Sequence, residues 1–297
     1  VIFLLIGVFI FPLFYDKCGR EIHIKGELNM GPTQETYTIV RYQSGTFSKQ
    51  LDEIVTESPI TIKLNGEEYV TVVCTPNYIE DMVIGFLISE GIISSYKDVE
   101  EIWVQKDNGI VHVKSSKVNP LYQTLYNKRY ITSCCGKGRQ GFIFVNDAAK
   151  AKDLHDIHVK ITPEECFHLM NTLQQSSTTF RQTGGVHNTA LCDRNNILLS
   201  RMDIGRHNAL DKIYGHCLRN DISIKGKIIA FSGRISSEIL LKVSKIGCEI
   251  VLSKSAPTKL ALQLAHDLGI TVVGFIRNES CNIYTHPKRI DGYQSNV

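Results

Sequence analysis

The chain has 297 residues, 43% of them apolar and 21% charged, with a formal net charge of +3. That is the make-up of an ordinary globular protein with room for two domains or one large core, and a charge so small neither demands nucleic acid nor excludes a local basic cleft. Nine cysteines, scattered singly apart from one adjacent pair and with no Cys-x-x-Cys anywhere, exclude a disulfide framework, a zinc ribbon and a thioredoxin-like motif; they fit a reducing cytoplasm with no structural metal.

Residues 1–15 are almost wholly apolar. The run is shorter than the ~20 residues of a spanning helix and lacks the basic start and small-residue cleavage site of a signal peptide, so no membrane association is expected. Lys25-Gly26-Glu27 precedes Met30 as the codons of a purine-rich ribosome-binding site would, which makes residues 1–29 a non-native upstream extension in this reading. Strand-like runs follow at Tyr37 to Tyr42 and Ile60 to Leu64, and Asn65-Gly66 turns the second into Tyr69 to Cys74 as a hairpin. After Thr75-Pro76, Ile79, Met82, Val83, Phe86 and Leu87 share one face of a helix that Gly91 ends. Ile102 to Gln105 and Val111 to Val113 flank Asp107-Asn108-Gly109, a further hairpin.

Thr132-Ser133-Cys134-Cys135-Gly136-Lys137-Gly138-Arg139 is the densest chemical signal of the chain. A thiolate is the nucleophile of sulfur chemistry, and adjacent cations or exposed backbone N–H groups lower a cysteine from its usual pKa of ~8.5. Two glycines leave the sulfur accessible. The alternative is a loop holding two half-buried cysteines as small apolar side chains.

Two glycine-flanked histidine motifs come next, Thr183-Gly184-Gly185-Val186-His187-Asn188 and Asp203-Ile204-Gly205-Arg206-His207-Asn208. The second opens a helix whose buried face is Leu210, Ile213, Tyr214 and Cys217. The histidines read as hydrogen-bonded structural groups or as proton-transfer and ligand-orienting residues, and Asp203 and Asp211 as a helix cap and a surface charge.

From Ile228 onward strand and helix signals alternate. Strands at Ile228 to Phe231, Ile250 to Leu252 and Ile270 to Phe275 enclose two helices, one capped by Ser236 or Ser237 with Ile239, Leu240, Val243 and Ile246 inward, the other opened by Thr258 with Leu260, Leu262, Leu264 and Leu268. This βαβαβ order implies a largely parallel sheet, and ligands of such sheets bind outside the carboxyl ends of the strands. Three loops emerge there: Ser232-Gly233-Arg234, Ser253 to Thr258 with Lys254, and Arg277-Asn278-Glu279-Ser280. Hydroxyls, three cations and two helix N-termini suit a phosphate-bearing ligand; the alternative is the ordinary polarity of strand ends.

Taken together, Gly85-Phe86-Leu87, Ser89-Glu90-Gly91-Ile92-Ile93, Ser133-Cys134-Cys135-Gly136, Thr183-Gly184-Gly185 with His187, the run from Asp203 to Lys212, Ser232-Gly233-Arg234, Ser255-Ala256-Pro257-Thr258 and Gly274-Phe275 with Tyr284-Thr285-His286-Pro287 resemble the formate dehydrogenase accessory sulfurtransferase family, FdhD/NarQ. The resemblance spans about Leu51 to Arg289. It implies an α/β chain: a smaller mixed α+β N-terminal domain over 30–145 ending in the cysteine loop, and a three-layer, cytidine-deaminase-like domain over 146–297. It implies a cytoplasmic sulfur carrier that takes sulfur from a cysteine desulfurase as a persulfide and passes it to bis-molybdopterin guanine dinucleotide before that cofactor enters formate dehydrogenase. It also implies a homodimer. By position, Cys134 matches the persulfide-bearing cysteine and Phe275, Ile276, Arg277, Asn278, Glu279 and Ser280 the cofactor-binding segment. Many members carry Cys-x-x-Cys where this chain has Cys134-Cys135 and Lys137, so Cys135 either resolves the persulfide or has no role in transfer. The deaminases' His-x-Glu and Pro-Cys-x-x-Cys zinc ligands are missing, which argues against deamination. Two other readings compete: a cofactor-carrying chaperone without chemistry, and a metal site of Cys134, Cys135, His187 and His207, for which adjacent cysteines are poor geometry.

Overall fold

The computed structural model describes residues 30–120, 129–131, 151–277 and 279–294. Three sheets are present among them. The first is a two-stranded ribbon, β1 (Gln34–Gln43) against β2 (Thr46–Val55), closed by Ser44 and Gly45, both at positive φ as a tight hairpin turn demands. β2 was not among the sequence expectations: its apolar residues Phe47, Leu51, Ile54 and Val55 are irregularly spaced among Lys, Asp and Glu, and most of the strand is exposed.

The second sheet has five strands in the order β5-β6-β3-β4-β7, made by β3 (Ser58–Leu64), β4 (Glu67–Cys74), β5 (Val99–Gln105), β6 (Ile110–Ser115) and β7 (Arg129–Ile131). Helix α1 (Ile79–Ser89) lies on it, and Ile79, Met82, Val83 and Leu87 are fully buried with Ile60, Ile62, Val72 and Val111. Both hairpins form where the sequence places them.

The third sheet runs β13-β12-β11-β10-β8-β9. Its strands are β8 (His187–Cys192), β9 (Ile197–Asp203), β10 (Ile228–Phe231), β11 (Ile250–Ser253), β12 (Thr271–Arg277) and β13 (Ser280–Ile283). Only β10, β11 and β12 are mutually parallel; β8, β9 and β13 add antiparallel edges, so the sheet is mixed rather than largely parallel. Alternation along each strand sorts the core to two sides. Ile229, Phe231, Val251 and Val272 meet α4 (Arg206–Arg219), α5 (Ser237–Ile246) and α6 (Lys259–Asp267), whereas Ile228, Ala230, Ile250, Leu252 and Val273 meet α2 (Pro163–Ser176). A short α3 (Thr178–Thr183) follows α2. This is the three-layer α/β arrangement expected.

Of the four leucines expected in α6, Leu262, Leu264 and Leu268 pack partly buried against the core and Leu260 is exposed. The deepest residues are Ala261 and Ala265, which four-residue spacing sets on one face.

The two larger sheets are locked together where α1 crosses α4. A Cβ on Gly85 would stand 1.9 Å from the Asp211 carbonyl oxygen, and one on Gly215 1.8 Å from that of Asp81. Backbone touches backbone here. Gly215→Ala must push the helices apart and is expected to cost about 3 kcal/mol, measured as a fall in urea midpoint at unchanged slope.

Around this crossing lie three buried polar clusters. Lys212 Nζ meets Asp203 at 2.7 Å, both side chains wholly excluded from solvent, and donates to Thr75 Oγ1 at 2.6 Å and Asn77 Oδ1 at 2.8 Å. Lys242 Nζ donates to Asp211 at 2.7 Å and to Ser89 Oγ at 2.7 Å and lies 3.2 Å from Glu90. Asp211 is therefore no surface charge, contrary to expectation, and burial pushes its carboxyl up. Asp81 receives Arg219 Nη1 at 2.6 Å and lies 3.0 Å from His216 Nδ1.

Burial would raise the Asp81 carboxyl, but the hydrogen bonds and charges of His216 and Arg219 outweigh it and hold the group below its usual value. An acid whose folded pKa is depressed stabilises fully above its unfolded pKa of about 4 and loses that contribution as pH falls through the folded value. The unfolding free energy should therefore drop as pH falls below about 4, and Asp81→Asn should flatten that slope in urea titrations at stepped pH.

Candidate functional site

The carboxyl ends of β10, β11 and β12 deliver the three loops singled out by sequence to one place. Ser253 Oγ donates to the Gly233 carbonyl at 2.8 Å, Ser255 Oγ to that of Ser232 at 3.3 Å, and Ile235 bridges to Pro257 in parallel register. Phe275 N donates to the Ser255 carbonyl at 3.4 Å, joining the third loop to the second. The bonds are mutual and mostly backbone-directed, so the rim is a fixed structure.

Two of these loops feed helices. Ser236 Oγ caps α5 through Ile239 N and Thr258 Oγ1 caps α6 through Ala261 N, as the sequence indicates. The third is the turn between β12 and β13. Phe275 sits at φ 52° and Glu279 at φ 58°, and a bulge separates Gly274 from Arg277. A left-handed conformation is strained for a phenylalanine, and such strain persists where the surroundings impose it. Here the crowding is visible: a Cβ on Gly274 would come within 3.0 Å of both the Ser255 carbonyl and the Tyr284 ring.

The segment from Phe275 to Ser280 divides by residue. Arg277 is exposed, its guanidinium 5.5 Å from the Phe275 ring centroid, and Ser280 Oγ donates to the Arg277 carbonyl at 3.0 Å. Ile276 is buried in the core under α2, leaving only its backbone toward the rim. Asn278 lies outside the described residues. Among the three cations of the rim, Arg234 is exposed, while Lys254 hydrogen-bonds Gln174 of α2 and so leans toward the opposite face of the sheet.

The histidine motifs border the same rim. β8 is antiparallel to β10, so its first residue, His187, stands beside the strand end that carries Gly233; a Cβ on Gly233 would lie 3.3 Å from His187 Nδ1. His207, in the first turn of α4, places Nε2 3.2 Å from the Glu238 carboxylate in the first turn of α5. Burial lowers the His187 pKa, helped by the nearby charges of Arg206 and His207 and opposed by Asp203. A neutral imidazole results, with one nitrogen to accept and one to donate. Arg206 Nε is shielded from solvent with no hydrogen-bond partner among the described residues. The sequence motif contains Arg206, but its position beside His187 needed the tertiary structure.

Asp203 does not cap α4 as expected, since the N-cap residue is Gly205 and the helix has no side-chain cap; its carboxylate instead accepts from Gly205 N at 2.8 Å, Asn208 Nδ2 at 3.0 Å and Thr75 N at 3.0 Å. Most of the motif from Asp203 to Lys212 is thus a clamp across the α1/α4 crossing. Sequence reasoning missed that role, although acid and lysine neighbours on a helix with Leu210 and Ile213 inward were a signal.

Cys134 and Cys135 lie outside the described residues. What leads into them is described: β7 ends at Ile131 and pairs in parallel with β4, Ile131 opposite Val72. The next carbonyl of β4, Val73, accepts from Asn208 Nδ2 at 2.9 Å, beside His207. The root of the cysteine loop therefore emerges at the first turn of α4.

Six other cysteines are described, and every one is a poor nucleophile. Burial pushes up the thiols of Cys74, Cys166 and Cys248, that of Cys192 to about 12 and that of Cys217 to about 11; Cys281, partly buried, is also raised. None forms a disulfide, and no group of three or more metal-ligating side chains occurs among the described residues.

Comparison with known proteins agrees with this picture. A family model described as "FdhD/NarQ family" matches residues 55–291. A Bacillus subtilis protein named sulfur carrier protein FdhD is 56% identical over 84% of this chain and 95% of its own, and one of the same name from Shouchella clausii is 53% identical over 87% and 97%. A crystal structure from Desulfotalea psychrophila, described as a candidate formate dehydrogenase accessory protein, superposes with a TM-score of 0.70 at 24% identity, covering 87% of this chain and 100% of that one, which speaks for a shared fold. With the family model spanning the strand-end rim, the cysteine loop and the α1/α4 clamp alike, the chain belongs to the FdhD/NarQ family.

Proposed function

We propose that this protein is a sulfur carrier required for formate dehydrogenase activity, working as a sulfurtransferase through a persulfide on Cys134. The thiolate attacks the terminal sulfur of a cysteine desulfurase persulfide; a new S–S bond forms on Cys134 as the donor's S–S bond breaks and its thiolate leaves. The outer sulfur then passes to the molybdenum of bis-molybdopterin guanine dinucleotide, its cargo: the S–S bond on Cys134 breaks as the metal–sulfur bond forms, the Cys134 thiolate leaves, and the reduced metal of the cargo supplies the two electrons that make the sulfur a sulfido ligand.

The observation that carries the reading is the suppression of six other thiols, which leaves Cys18 and the 134/135 pair as the remaining candidates, and of these only the pair lies within the family match. Chain geometry supports it too. Ile131, three residues ahead of Cys134 in the sequence, ends β7 opposite Val72, one residue before the β4 carbonyl that accepts from Asn208 at the α4 end holding Arg206 and His207. The exposed Arg277 and Arg234 at the rim suit the cargo's phosphates, with the Phe275 ring next to Arg277. The names of the relatives point the same way.

No helix among the described residues is long and apolar enough to cross a membrane, and we place the protein in the cytoplasm, where its free thiols stay reduced. Two copies of the chain act together in this reading. Peptide mass spectrometry after incubation with a cysteine desulfurase and cysteine tests it: one added sulfur atom on the Cys134/Cys135 peptide is expected, and an unmodified peptide overturns the persulfide step.

A further inference from the structure

The sulfur chemistry makes no use of a cleft of about 160 Å³ bounded by the end of α2, the start of α3, β8, β9 and the two residues ahead of α1. That is room for several water molecules or a small organic ligand. Its buried polar groups are donors. Asn77, from the loop ahead of α1, and Asn188, from β8, both line it and are 6% and 5% exposed. Each has its carbonyl oxygen committed: Asn77 Oδ1 accepts from Thr75 Oγ1 and Lys212 Nζ, both at 2.8 Å, and Asn188 Oδ1 from Ser177 Oγ at 2.8 Å. Their Nδ2 groups have no hydrogen-bond partner among the described residues, and the hydroxyl of Thr179, 7% exposed in the same wall, has none either. Unpaired polar groups are rare in buried settings, so three around one cleft mark a place where a ligand supplies the acceptors.

We propose that the cleft binds a small monocarboxylate. Charge selects that class. No acidic side chain lines the cleft, and its one cation is Arg201, whose guanidinium lies 3.8 Å over the Tyr78 ring and 3.5 Å from an Asp81 oxygen. A cation already shared with one carboxylate balances a further single negative charge at most, whereas a phosphate dianion would bring two. Tyr78 sets the platform: it occupies φ 54°, a left-handed conformation strained for a tyrosine that its surroundings must impose, and it turns the chain into α1. The carboxylate oxygens accept from the two asparagine Nδ2 groups and the Thr179 hydroxyl, and Leu173 and Met202 of the same wall take the short carbon chain. Asn188 also ties the site to the strand-end rim, its N–H donating to Ser232 Oγ and its carbonyl accepting from Ser232 N, both at 2.9 Å. Neither Arg234 nor Arg277, the cations suited to the cargo's phosphates, lines the cleft, so its ligand is a separate small molecule.

Saturation-transfer NMR of the full chain with acetate at neutral pH is the test, and sulfur transfer takes no part in its readout. A saturable signal with half-saturation in the millimolar range is expected for so small a ligand, together with a rise in thermal midpoint over chloride at equal ionic strength. Acetamide, which keeps the shape without the charge, and inorganic phosphate should each bind about tenfold more weakly or worse. Asn188→Asp keeps the acceptor for Ser177 but sets a carboxylate against the ligand, and should weaken acetate by about tenfold or more. Thr179→Val removes one donor at little change in volume and should weaken acetate by about threefold or more, which keeps the test decisive where the first variant folds poorly. No saturable signal, acetate binding unchanged in both variants, or acetamide or phosphate binding as tightly as acetate overturns the proposal.

Discussion

Cys134→Ala is expected to leave a folded protein that no longer gains sulfur from a cysteine desulfurase and that supports formate dehydrogenase activity about 10³-fold less than the parent, the scale of losing a nucleophile. The substitution removes one thiol from a loop whose root, at Ile131, is fixed by pairing with Val72, so the sheets and the strand-end rim should be untouched. Cys135→Ala separates the neighbours. If Cys135 takes no part in transfer, loading persists in that variant; if it resolves the persulfide, loading persists and release slows. Retention of full activity by Cys134→Ala would instead favour a cofactor chaperone without chemistry, and would end the persulfide proposal. The measurement is a pair: sulfur on the peptide by mass spectrometry, and formate oxidation by the recipient enzyme.

Lys212→Met is expected to have the largest effect on stability. It strips the cation from an ion pair in which both side chains are wholly buried, leaving the Asp203 carboxylate in the interior with only neutral donors from Thr75, Gly205 and Asn208. Removing one partner of a buried pair costs about 3–5 kcal/mol, because the remaining charge has lost its compensation while staying out of water. For a chain of this size that should lower the thermal midpoint by about 5–8 °C. Asp203→Asn combined with Lys212→Met removes both charges, keeps an acceptor for the surrounding donors, and should recover part of the loss. A change below about 1 kcal/mol for Lys212→Met would show that the α1/α4 crossing is held by apolar packing alone.

How far the sequence reaches can be judged from individual residues. Asn65-Gly66 and Asp107-Asn108-Gly109 form their turns because the required backbone angles belong to those residue types wherever they sit. Ser236 and Thr258 cap their helices for an equally local reason. Of the α6 leucines three pack against the core and Leu260 is exposed, because angular position around the helix, not residue type, decides which side chains face the sheet. Strands β8 and β9 went unrecognised because polar residues such as His187, Asn188, Arg201 and Asp203 break their apolar runs, and those residues are polar to meet partners from elsewhere in the chain.

The sequence by itself determined the alternation of strands and helices after Ile228, the three loops at one sheet end and the cysteine pair followed by cations, since each is a matter of residue type and short spacing. Only the tertiary structure decided that Asp203 and Asp211 are buried clamps rather than a lone cap and a surface charge, that Arg206 stands beside His187, and that six thiols are suppressed. Burial and the company of a charge are properties of space: they arise from residues such as Thr75 and Asp203, or Ser89 and Lys242, more than a hundred positions apart, and no local pattern carries that distance.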